Sequence, residues 1–181
     1  IDLYGQGRRG SNPEESMALM NEFNSDRVLL QERMINALET LKNFDQVDKN
    51  KTGAIGFCFG GKCALDLARS GEDIMGVVSF HGLYDAPTAS TGKQLKGTLK
   101  IDSSILILHG YDDPMATPKS MVELADELNS KKAKWQIHAY GNVGHAFTNP
   151  EANQRESGLF YDRYADEHSW NEMKNFFSKI F

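Results

Sequence analysis

Long apolar runs are missing from this 181-residue chain, and so is any excess of basic charge. No stretch approaches the roughly 20 apolar residues that a membrane helix needs. Lysine and arginine number 20 against 25 aspartates and glutamates, a net charge of −5 at pH 7. Nucleic acids and anionic membranes call for a basic face, so neither is expected as a partner. Cysteine is scarce as well. The two present, Cys58 and Cys63, are five positions apart and cannot form a disulfide framework, which fits a reducing, cytoplasmic compartment. The opening Ile1-Asp2-Leu3-Tyr4-Gly5 has no initiator Met, charged n-region or apolar h-region. It reads as the tail of a strand, so the expectation is one domain over 1–181 that is incomplete at its N-terminus.

What is present describes a globular protein, with 40% hydrophobic and 25% charged residues. Residues 5–16 are rich in glycine and polar side chains and read as loop. From Asp26 to Phe44 the apolar positions Val28, Leu29, Met34, Ile35, Leu38 and Leu41 recur at three- and four-residue steps. That is one face of a helix, with Ser25 or Asp26 as N-cap. The run Ala54–Cys58 suits a strand buried on both faces, followed by a helix over Gly60–Arg69 that stops at Ser70-Gly71. Met75–Phe80 and Ile105–His109 are further strands. Pro118–Asn129 is a helix with Met121, Val122, Leu124, Ala125 and Leu128 inward. Trp135–Tyr140 is a last strand, and His168–Ile180 a closing helix with Trp170, Met173, Phe176 and Phe177 inward. Alternating strands and helices predict an α/β fold, a mostly parallel sheet flanked by helices.

Ligands of such sheets bind at the carboxyl ends of the strands. The first strand ends there in Gly56-Phe57-Cys58-Phe59-Gly60-Gly61, and the second in His81-Gly82. The third ends in His109-Gly110-Tyr111-Asp112-Asp113-Pro114, and the fourth is followed by Gly144-His145-Ala146-Phe147. Nucleophile, acid and histidine come in the chain order of the α/β-hydrolase triad. G-x-C-x-G-G between strand and helix is a nucleophile elbow with Cys in place of Ser, its neighbours nearly free of side chains because the turn is strained. A dinucleotide fingerprint fails, since Cys58 stands where glycine is needed, and so does a Walker loop. Cys63 reads as core. Asp113, in a tight turn stiffened by Pro114, is the better acid, with Asp112 capping or solvating the turn. His138 and His168 read as structural. No set of His, Cys and carboxylates has zinc spacing, so neither metal nor other cofactor is expected.

Together these motifs resemble the dienelactone hydrolase family, through Asp2-Leu3-Tyr4-Gly5 as well as the three segments carrying Cys58, Asp113 and His145. The resemblance implies an α/β-hydrolase fold whose N-terminal strands are absent from this chain. It implies cofactor-free hydrolysis of small carboxylic esters or lactones by a Cys58–His145–Asp113 triad and a thioester acyl-enzyme. The Phe59 backbone N–H is expected in the oxyanion hole, with a second donor on an upstream loop. The family's substrate-binding arginines have no match: Gln6 and Asn149 stand at their places, with Arg8 and Arg9 as possible substitutes for the first. Phe57, Tyr84, Tyr111, Phe147 and His81, with Phe59, are candidate pocket walls, and the loop over 83–104 a candidate cover. Two other readings stand beside this one, a non-catalytic protein and a thiol-redox protein on the same scaffold.

Overall fold

A computed structural model of the chain describes residues 1–88, 94–97 and 100–181. Strands β1 (Gly53–Phe57), β2 (Gly76–Phe80), β3 (Ser104–Gly110) and β4 (Lys134–Tyr140) pair in that order, each parallel to the next. Their register aligns Ile55, Val78, Leu106 and Gln136 across the sheet. Helices α1 (Pro13–Ser25), α2 (Arg27–Lys42), α3 (Phe59–Ser70), α4 (Pro118–Ser130) and α5 (Arg163–Ile180) accompany it. A small hairpin pairs β5 (Asn153–Gln154) with β6 (Leu159–Phe160).

Because side chains alternate along a strand, Val77, Ile105 and Ile107 face one side and Val78, Phe80, Leu106 and Leu108 the other. The first set packs with Leu30, Leu65, Leu124 and Leu128 of α2, α3 and α4. The second packs with Met173 and Phe176 of α5 and with Val143 and Phe147 of the loop before it. Each layer buries the apolar stripe of its helices, and burial of a large aliphatic or aromatic side chain contributes about 1.5–3 kcal/mol.

The structure departs from the sequence reading in five places. α1 begins inside the expected loop: Asn12 Oδ1 accepts from Glu15 N–H at 2.9 Å and Pro13 opens the first turn. That helix buries only Phe23, so it has no apolar stripe to read. β1 is an edge strand, with Ile55 45% and Phe57 39% exposed, where burial on both faces was expected. No strand among the described residues pairs with its outer edge. Val122, expected inward, is 57% exposed, since it lies about 200° around the helix from Leu124. α5 starts five residues early, because Asp162 caps it by accepting from Ala165 N–H at 2.9 Å. Trp170 sits at the margin of that helix's buried stripe and is 45% exposed.

One part of the interior is ionic. Asp66 of α3 is fully buried and accepts from Arg27 Nε and Nη2, both at 2.8 Å, and from Arg69 Nη1 at 3.2 Å. Arg69 also donates to Glu127 of α4 at 2.6 and 3.0 Å and to the Tyr84 carbonyl at 2.9 Å. Arg27 and Lys62 converge on Asp85 at 2.6 and 2.7 Å. The network ties α2, α3, α4 and the segment after β2 to one another. Removing the shared carboxylate strands two buried guanidiniums, so Asp66→Ala is expected to lose about 3–5 kcal/mol of stability in urea denaturation. A loss below about 1 kcal/mol would show that the network is not holding these elements.

Candidate active site

The chain leaves β1 and enters α3 through a single strained residue. Cys58 has φ 52° and ψ −118°. Its N–H donates to the Phe80 carbonyl of β2 at 3.0 Å, and its own carbonyl accepts from Gly61 N–H at 3.0 Å. The turn is so tight that a Cβ at Gly56 would lie 2.0 Å from the Gly60 carbonyl oxygen. At Gly61 a Cβ would come within 2.4 Å of Ser79 Oγ and 2.9 Å of Gly82 Cα, so this glycine sets the approach of α3 to β2. A Cβ at Gly60 meets open space, so the crowding sits at Gly56 and Gly61 and not at Gly60. No side chain caps α3, and Gly61 N–H is taken by the Cys58 carbonyl, which leaves the N–H groups of Phe59 and Gly60 without a helix acceptor. The Cys58 side chain is half-buried at this helix N-terminus, whereas Cys63 is buried in the core and its thiol pushed up to about 12 by burial.

At the end of β3 the turn delivers Asp113 inward and Asp112 outward. Asp113 Oδ1 accepts from the backbone of Met115 at 2.7 Å and Ala116 at 3.1 Å. Its Oδ2 lies 2.7 Å from Nδ1 of His145. The His145 backbone is clamped by the hairpin, its N–H donating to Gly158 at 2.7 Å and its carbonyl accepting from Phe160 at 3.1 Å. Three loops meet here backbone to backbone. A Cβ at Gly110 would be 2.3 Å from the Gly144 carbonyl, and one at Gly144 would be 2.2 Å from the Gly158 carbonyl.

His145 is almost wholly buried. Burial works against its charge, but the Asp113 hydrogen bond and the Cys58 thiol at its side outweigh that and push its pKa up to about 9. Its Nε2 is buried and completes no hydrogen bond of ordinary geometry, so Cys58 approaches the ring without closing on it. His81, at the end of β2, behaves oppositely: burial and the neighbouring His145 hold it near 3, so it stays neutral. His109 is also held down by burial and takes a hydrogen bond at 3.0 Å between its Nδ1 and the Tyr84 hydroxyl.

The other candidates are less uniform. Phe57 stacks on Phe80 at 4.6 Å and Tyr111 is exposed, so these two present ring surface to solvent. Phe59, Tyr84 and Phe147 are core residues; Phe147 reaches the site through His81, ring centroids 5.0 Å apart. Arg8 is engaged by Glu22 at 2.9 Å, and Asn149 Oδ1 caps Glu151 N–H at 3.0 Å. His138 lies 3.9 Å from Glu172, and the His168 ring lies tilted against Tyr164, centroids 4.2 Å apart. The expected cover over 83–104 falls partly on 89–93 and 98–99, outside the described residues. Among the described residues no cluster of His, Cys, Asp or Glu is placed to hold a metal ion, and no helix is long and apolar enough to cross a membrane. The sequence reading missed the partner of His81, Thr148 Oγ1 at 2.8 Å; a lone threonine in a loop carries no signal that would have found it.

Similar proteins agree with the fold. An uncharacterized protein of Caenorhabditis elegans, K02A2.1, is 36% identical over 154 residues, covering 84% of this chain and 94% of its own. A Bradyrhizobium protein described as a probable 2-oxo-3-(5-oxofuran-2-ylidene)propanoate lactonase is 27% identical over 136 residues, 74% of this chain. The chain spans 54% of that protein's length. Among solved structures, P91 from metagenomic libraries, a dienelactone hydrolase-like promiscuous phosphotriesterase, is 34% identical with a TM-score of 0.85, covering 98% of this chain and 72% of its own. The model of the dienelactone hydrolase family matches residues 1–181. With that match over the full length, on a parallel sheet whose rim gathers Cys58, Asp113 and His145, the chain belongs to the dienelactone hydrolase family.

Proposed function

We propose that this member of the dienelactone hydrolase family cleaves small carboxylic esters or lactones through a thioester on Cys58. The observation that carries the reading is the line from the Asp113 carboxylate to His145 Nδ1 at 2.7 Å, with the strained Cys58 on the far side of the ring. Asp113 fixes the tautomer and stabilises the imidazolium, and His145 takes the thiol proton. The thiolate adds to the ester carbonyl, and the oxyanion develops against the open Phe59 N–H at the helix N-terminus. The C–O bond breaks as His145 protonates the departing alkoxide. Neutral His145 then draws a proton from water, whose oxygen attacks the thioester. The C–S bond breaks, the acid leaves, and the thiolate–imidazolium pair is restored. The loose Sγ–Nε2 approach is of a kind that substrate tightens.

A redox protein or an inert scaffold has no use for a buried carboxylate–imidazole pair, which costs desolvation on both partners. The first test is hydrolysis of p-nitrophenyl acetate. Cys58→Ala and His145→Ala are each expected to lose at least about 1000-fold in kcat/KM. Persistence of turnover in Cys58→Ala would identify a different nucleophile.

The pH dependence follows from the same contacts. His145 holds its proton up to about 9, against an ordinary 6.5, so the acylation rate is expected to fall as pH rises through about 9. Asp113→Asn removes the hydrogen-bonded charge and should bring that alkaline limb down toward 6.5, measured as kcat/KM against pH. An unmoved limb would separate Asp113 from the chemistry.

The histidines also shape stability, with opposite signs. His145 has a raised folded pKa, so its stabilisation is complete below 6.5 and is lost as pH rises through about 9. For His81, held near 3, the unfolded chain takes up the proton first, and stability falls as pH drops from 6.5 toward 3. Urea midpoints are therefore expected to peak near neutral pH. His81→Phe should flatten the acid side specifically, and an acid limb as steep as the wild type's would refute the assignment.

A further inference from the structure

We propose that His81 and Thr148 form a tether that positions the catalytic histidine loop, with His81 acting through its contact with His145 and not on substrate. The inference rests on the reading of Cys58 and His145 as a working pair. His81 follows the last residue of β2, and its N–H donates to the Leu108 carbonyl of β3 at 2.8 Å, so its backbone belongs to the rigid sheet. Its φ is +36°, a region that a residue with a ring rarely holds, and it turns the side chain out over the rim. There the ring is 3% exposed. It lies edge to face with His145, centroids 5.1 Å apart, and with Phe147 at 5.0 Å. Its Nε2 lies 2.8 Å from Thr148 Oγ1, three residues beyond His145.

The strain of the left-handed backbone is therefore spent on a specific contact. The loop carrying His145 is held from below by Asp113 and from the side by the hairpin, while its far end, beyond Ala146 at φ 59°, has the His81–Thr148 bond. His81 Nε2 and the Thr148 hydroxyl share one hydrogen bond, and either tautomer of the ring can make it because a hydroxyl both donates and accepts. A neutral ring suits this place, because the charged and titratable groups that bear on it are His145 and Asp113, and a second cation would compete with the imidazolium for the same carboxylate.

The test reads the Cys58–His145 pair without any ester, by the rate of Cys58 alkylation with iodoacetamide, with Cys58→Ala as the blank for Cys63. At pH 6 a free thiol is almost wholly protonated, so fast alkylation there reports the pair, whereas in strong alkali a thiol needs no partner to ionise. Thr148→Val, which removes the hydroxyl at nearly constant shape, and His81→Phe, which keeps a ring but no nitrogen, are each expected to slow alkylation at pH 6 by about 10-fold. The rates should converge with wild type at high pH. The double variant should be no slower than either single one, since both break the same bond. Thr148→Ser, which keeps the hydroxyl, should restore the rate to within about twofold of wild type.

If His145→Ala slows alkylation and the Thr148 and His81 variants do not, the tether is refuted while the hydrolase reading stands. Losses that multiply in the double variant refute it equally. If His145→Ala leaves the rate at pH 6 unchanged, the pair itself is refuted, and the tether with it. Should His81→Phe fail to fold, Thr148→Val and Thr148→Ser decide the question, since Thr148 is only half-buried and its change removes a single hydroxyl.

Discussion

Holding a residue with a side chain in a left-handed backbone conformation costs of order 1–3 kcal/mol, and Cys58 is held in one between a strand and a helix. Everything near it serves that geometry. β2 anchors the Cys58 N–H, Gly56 lets the Gly60 carbonyl pass at a distance no Cβ would allow, and Gly61 brings α3 down onto β2. The result is a thiol lifted out of the sheet plane at the open end of a helix, beside the Phe59 and Gly60 amides that no side chain caps. Relaxing the turn would swing the sulfur away from His145 and close the helix N-terminus together. Strain at this one residue is thus coupled to both halves of the proposed chemistry.

The order of strands and helices was legible because each buried strand is a short apolar run and each main helix has a 3.6-residue stripe. Cys58, Asp113 and His145 stood out because each sits in a glycine-rich segment just past a strand, where a parallel sheet gathers its loops. What stayed hidden has a physical cause in each case. α1 buries one phenylalanine, so its periodicity is silent, and β1 reads as an interior strand because Ile55 and Phe57 are apolar whether or not a neighbour covers them. Val122 and Trp170 were misplaced by counting apolar residues instead of angles around the helix axis. The partnership of His81 with Thr148 spans 67 positions, and no local pattern encodes it.

The polar interior divides into two regimes. On the α3–α4 face, Arg27, Arg69, Asp66 and Glu127 saturate one another with hydrogen bonds. At the rim, histidines are kept apart in protonation, one near 9 and one near 3, although their rings touch. The regimes are joined by Tyr84. Its carbonyl accepts from Arg69, and its hydroxyl bonds His109, which stands four residues before Asp113. Fixed charge on the outside of the sheet therefore braces the segment against which the titrating groups are set.

The seam of Gly110, Gly144 and Gly158 bears on how such a protein can change over time. Main chains pass one another there, with the Phe160 ring closing on Gly144 and the Pro114 ring on Gly158, so the placement of His145 depends on there being no Cβ at the three crossing points. Positions between them, such as Asp112 and Ser157, are exposed and are free to drift, and the rim they form can be re-lettered for new ligands without disturbing the reacting groups. The glycines themselves admit no such drift, since even one methyl group would part the loops. Variation in what the rim admits and invariance in how His145 is held are thereby separated along the same few loops.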